Sequence, residues 1–162
     1  MMKENKKLQR RGIMLKRFIR NEKGLTLIEL LAVIVILGII AAIAIPSVGA
    51  LIDNSKKDAH ISNAKQLVNA TRLAITADTS NTNKATFTMT ELVNGGYLEK
   101  VPKSPGDAGA YDGAKSFVTV TKDANGNLSY KVTLATADPN SHKYIDDKDP
   151  ENLTRGDVKL KP

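Results

Sequence analysis

Glu29 is a carboxylate at the start of an apolar run that continues without a charge from Leu30 to Ile45, and a charge in such a place needs a reason. Thr26 stands three residues before it, in the Thr-x-x-Glu spacing of a capping box, and an acid in a first helical turn also suits the helix dipole. A cap alone leaves Lys23-Gly24, Gly38 and Pro46 without a role. Other reactive residues are sparse. The absence of cysteine excludes disulfides, thiolate zinc sites and thiol catalysis. The only two histidines, His60 and His142, lie far apart, and no nucleophile, base and orienting group assemble from the sequence. Neither enzymatic activity nor a cofactor is expected. Asp146, Asp147 and Asp149 in "DDKDPEN" are weak calcium candidates, since calcium takes oxygen ligands, but a charged tail reads more plainly as solvated surface and no metal is expected. "DANGN", Asp123 to Asn127, lacks the length and closing Glu of a calcium loop and reads as a hairpin turn.

The elements that must position these residues follow from charge and hydropathy. Residues 1–24 hold nine Lys/Arg against two acids, which is the whole formal excess of +7; the remainder is balanced at 15 of each sign. With no dense basic cluster and no interleaved aromatics beyond that leader, direct nucleic-acid binding is not expected. At about 1.5 Å per residue, Leu25 to Ile45 reaches roughly 30 Å, the thickness of a hydrocarbon core. The basic leader should stay in the cytoplasm, which places the rest of the chain outside.

Beyond Pro46, Ile61, Ala64, Val68, Thr71 and Ile75 recur at three- and four-residue steps, with Lys57, Lys65, Gln66 and Arg72 elsewhere on the wheel. This predicts a single bent helix from about Leu25 to about Ala77, on the order of 80 Å long if continuous. Its first half must find lipid or other subunits, while its second half can pack on a domain. "TADTSNTNKAT" reads as a loop and "TELVNGGYLEKVP" as a short helix or turn. Ser116–Thr121 and Leu128–Thr136 flank Asn125-Gly126 and predict a tight β-hairpin. The tail from Asp138 is polar, with a short final strand expected near Asp157–Leu160. The fold class is α+β. Residues 1–24 form a leader, 25–52 a transmembrane helix and 53–162 an extracytoplasmic domain, in which 53–78 continue the helix and 79–162 supply loops and an antiparallel sheet.

The stretch "KGLTLIELL", Lys23 to Leu31, followed by the apolar run and Pro46, resembles the type IV prepilin family, which includes pilins and pseudopilins. The resemblance covers roughly the first third of the chain. It implies cleavage between Gly24 and Leu25 by a prepilin peptidase and N-methylation of Leu25, although family members usually carry Phe at that new terminus. Glu29 would then neutralise the α-amine of Leu25 on an adjacent subunit, and the Gly38–Pro46 segment would melt on assembly. The partners implied are the chain itself as a helical homopolymer, the prepilin peptidase, an inner-membrane assembly platform with its ATPase, and lipid before assembly. The protein would be a single-pass membrane protein first and part of an extracellular pilus or pseudopilus afterwards. Adhesion, motility, DNA uptake (competence) and secretion are all compatible. The missing disulfide favours a Gram-positive major pilin or competence-type pseudopilin.

Two rival readings remain at this level. One is a secreted domain whose signal peptide is cut near Ala50, after "PSVGA"; the other is a single-pass, uncleaved binding domain. Neither would polymerise. A start at Met14 instead of Met1 or Met2 would shorten the leader without altering the motif.

Overall fold

The computed structural model describes residues 22–106, 108–137 and 142–161, so the expectations for the basic leader lie almost wholly outside the described residues. It divides into two units, Met1–Gly49 and Ala50–Pro162. Helix α1 runs over Glu22–Ala77, 56 residues, and starts three residues before the expected Leu25. It continues through Pro46. Proline lacks an N–H, so the helical bond to the Ala42 carbonyl is missing there, while the flanking turns keep theirs.

The second half of α1 is helical because one face finds a core. Ala64, Val68 and Thr71 of the expected stripe are buried, Ile61 and Ile75 are partly so, and His60, Leu67, Ala70 and Ala74 widen the stripe. Thr71 is buried without penalty because its hydroxyl donates to the Leu67 carbonyl at 3.0 Å. After α1, Asp78 caps a 3-10 turn over Thr79–Asn81 by accepting from the Ser80 N–H at 2.8 Å.

A four-stranded antiparallel meander follows in the order β1-β2-β3-β4: β1 Thr86–Thr88, β2 Phe117–Lys122, β3 Leu128–Ala135 and β4 Lys143–Lys148. Helix α2, Met89–Asn94, sits between β1 and β2 in sequence. Its start is a true capping box: the Thr88 hydroxyl accepts from the Glu91 N–H at 3.2 Å and the Glu91 carboxylate accepts from the Thr88 N–H at 2.8 Å. Val118 and Val120 of β2 turn inward in strict alternation, and Val132 and Leu134 of β3 join Phe87, Leu92, Tyr144 and Ile145 in the core with the α1 stripe.

The β2–β3 hairpin lies where the sequence puts it, with a different turn. The Asp123 N–H donates to the Asn127 carbonyl and the Gly126 N–H to the Asp123 carbonyl, both at 3.0 Å, leaving a three-residue loop with Gly126 at φ 90°. The Asp123 carboxylate, accepting from the Asn125 and Asn127 N–H groups, explains why the wider loop wins over a two-residue Asn-Gly turn. Three other expectations need correction. Thr86–Thr88 is a strand and not the end of a loop, Lys143–Lys148 is a full strand inside the supposed polar tail, and Asp157–Leu160 is no strand. Arg155–Asp157 forms a 3-10 turn, and the tail then touches β4 through one rung, Lys159 N–H to the Tyr144 carbonyl at 2.9 Å.

Candidate functional site

The amino-terminal motif is built on an unpaired apolar helix. Every described residue from Thr26 to Ile52 is exposed, and Leu27 at 69 % and Ile45 at 71 % are among the most open large apolar side chains. This helix is long and apolar enough to cross a membrane, with none of its apolar window buried. Nothing among the described residues of this segment's own unit covers its apolar side chains, which is the condition of a surface made for a nonaqueous partner.

Within that surface Glu29 is an exposed carboxylate surrounded in sequence by Leu27, Ile28, Leu30 and Leu31. In the uncut chain the Thr26–Glu29 pair does not stand at a helix start. Because α1 begins at Glu22, Thr26 and Glu29 lie inside the helix, past its first turn. Glu29 stands four positions after Leu25, about 6 Å along the helix axis, so the two share a face. A chain beginning at Leu25 would carry a cation one turn from this anion. Lys23, Gly24 and Leu25 are helical in the backbone, ahead of the exposed run.

Gly38 has no steric duty in the monomer: a Cβ built there would meet nothing within 4 Å. Gly38 and Pro46 thus bracket a stretch with one weak helix former and one missing hydrogen bond, and no tertiary contact demands either residue.

The weaker candidates are dispersed by the fold. Asp146 is engaged by Lys143 at 2.7 Å, Asp147 by Lys131 at 2.8 Å, and Asp149 accepts from the Glu151 N–H and the Asn152 side chain. Among the described residues no three His, Asp or Glu side chains converge as a metal group would need. Sequence distance misled for the histidines, however. His60 and His142 both reach the Tyr144 ring, at centroid separations of 4.0 Å and 5.1 Å. Only the pairing of β4 against β3 and the docking of α1 bring them there, and neither is a local signal.

No curated protein and no solved structure matches the chain. Residues 19–45, in contrast, match the family model described as the prokaryotic N-terminal methylation motif. That segment holds Gly24, Leu25, Glu29 and Gly38 and ends just before Pro46. This match, on an exposed apolar stretch that holds one acid, means that the chain carries the cleavage and methylation signal of type IV prepilins.

Proposed function

We propose that this protein is the precursor of a structural filament subunit, cut between Gly24 and Leu25, methylated at Leu25 and polymerised through the first half of α1. The observation that carries the reading is the full exposure of an apolar stretch, Thr26–Ile52, that holds a single carboxylate, Glu29. Before assembly the helix lies in the membrane, with Glu29 near its end, where a carboxylate costs far less than at mid-bilayer. On assembly, apolar helices pack side by side and the new α-amine of each subunit must leave water. An unpaired buried cation is costly, so the Glu29 carboxylate of a neighbour supplies its partner and fixes axial register. The weakened Gly38–Pro46 stretch then unwinds to lengthen the subunit. A prepilin peptidase, an assembly platform with its ATPase and the surrounding lipid are the partners this cycle requires. Whether the filament serves adhesion, motility, DNA uptake or secretion depends on those partners.

The test is the intact mass and first residue of the protein from its native cells. A chain beginning at Leu25, with or without one methyl group, supports the reading. An uncut chain favours a tethered domain, and a chain beginning near Leu51 would indicate a secreted one.

A further inference from the structure

His60 belongs to the part of α1 beyond the apolar stretch, in the Ala50–Pro162 unit, and it is fully buried. Its Nδ1 lies 2.6 Å from the Tyr111 hydroxyl. Its ring stacks on Tyr144 at 4.0 Å and meets Tyr111 edge-on at 5.6 Å. Its Nε2 is buried and has no hydrogen-bond partner among the described residues. Three segments thus converge on one imidazole: α1, the connection ahead of β2, and β4.

The hydrogen-bond directions suit a neutral ring. Asn63 donates its Nδ2 hydrogen to the Tyr111 oxygen at 3.2 Å, which leaves the Tyr111 hydrogen free to point at Nδ1. Tyr144 donates its own hydroxyl to the Gly109 carbonyl at 2.8 Å and has no hydrogen for His60. A proton on Nδ1 would displace the Tyr111 hydrogen and put a full charge beside an Nε2–H that already lacks an acceptor.

The groups facing His60 offer that charge no compensation. From the connection ahead of β2 comes Tyr111, whose phenol burial keeps in its neutral form; from β4 comes Tyr144; from the residue before β4 comes His142, whose charge would oppose another on His60. On α1 itself Asp58 is held by both arms of the Arg155 guanidinium, at 2.6–2.7 Å. No carboxylate among the described residues is hydrogen-bonded to the imidazole.

We propose that His60 is an acid-release latch, whose protonation undocks the second half of α1 from the sheet it packs against. The inference holds whether or not the chain polymerises. Burial, with His142 as a lesser contributor, pulls the imidazole down from its ordinary 6.5 to about 4 in the folded protein. The unfolded chain therefore binds more protons between those values. The stabilisation is complete above pH 6.5 and is lost as pH falls toward 4. From pH 7.5 to 4.5 the folding equilibrium constant should drop roughly 70-fold from this one group.

The experiment is urea unfolding of the full chain in detergent micelles, followed by near-ultraviolet dichroism of the tyrosines at pH 7.5 and 4.5, for the wild type, His60→Gln and His60→Phe. The wild type should lose roughly 70-fold more in folding constant over this interval than either variant, because carboxylate titration is common to all three. In parallel, imidazole carbon-13 spectra of the wild type should show the native His60 signal still mostly neutral at pH 4.5, well below the ordinary 6.5; this arm decides the matter if the variants do not fold. Equal losses in all three chains, or a His60 that protonates near pH 6.5 with the native spectrum intact, would overturn the proposal.

Discussion

Leu37 and Leu67 belong to the same helix, yet the first is 57 % exposed and the second fully buried. The difference lies in what each turn of α1 faces. Around Leu67 the apolar residues form a stripe and the opposite side carries Lys65 and Arg72, so one face docks and the other is wetted. Around Leu37 every side is apolar, and no face can be satisfied by water. The two Thr-x-x-Glu sequences repeat the lesson on a smaller scale. Thr88 and Glu91 close a helix end by reciprocal hydrogen bonds, whereas Thr26 and Glu29 have the same spacing inside a helix that has already begun. Identical local signals are put to different uses, and the surroundings decide which.

This contrast can be broken most sharply at Glu29. Glu29→Ala should abolish filament formation in cells, scored by electron microscopy of sheared surface material, while leaving the unfolding of the Ala50–Pro162 unit within about 0.5 kcal/mol of wild type. Abundant filaments from this variant would remove the charge pair from the mechanism. Next in size is the leucine pair: Leu67→Ala should destabilise the unit by about 2–5 kcal/mol in urea titration, and Leu37→Ala by nearly nothing. The glycines offer a parallel test. A Cβ at Gly106 would collide with the Tyr144 ring, so Gly106→Ala should cost about 1–3 kcal/mol, while Gly38→Ala meets open space and should leave the same unit's melting unchanged. Smallest is the cap. Thr88→Ala should cost about 1 kcal/mol, and Thr26→Ala should have no effect on that unit. The Thr88 N–H first, then Lys84, hold the Glu91 carboxyl below its usual range, so its contribution is present above about pH 4.5 and fades as pH falls further. Glu91→Gln should flatten the acid limb of the urea midpoint.

Much of this architecture could be read from residue order, and the exceptions share a cause. The α1 stripe and the β2–β3 hairpin are periodic and local. The amino-terminal signal is linear as well, which is why it is legible over residues 19–45 without any knowledge of the domain. Strand β4 escaped because it is irregular: its register against β3 shifts on both sides of Leu134, so Tyr144 and Ile145 are buried side by side and the expected alternation disappears. Asp147, at φ 47°, occupies the left-handed conformation at this irregularity, one that Asp tolerates better than most residues. Strand β1 is three residues long, too short for a period to show. The contacts of His60 with Tyr111 and Tyr144 join residues at least 51 positions apart and left no trace in its own neighbourhood. The turn at Asp123 shows the converse, since one side chain selected a wider loop than its Asn-Gly pair suggests.

The margins of the sheet carry one last consequence. One outer strand is only three residues long, and the other has the carboxy-terminal tail against it, with the Lys159 N–H on the Tyr144 carbonyl and the Lys159 carbonyl 2.9 Å from the His142 ring. A subunit of the proposed filament, packed against other copies of itself, would run the risk of joining them by strand addition, which has no natural end point and no defined geometry. Here little bare strand is offered for such growth. In the proposed filament orderly stacking would be left to the helix, and a truncation that removed Val158 to Leu160 would be expected to trade it for amorphous aggregate.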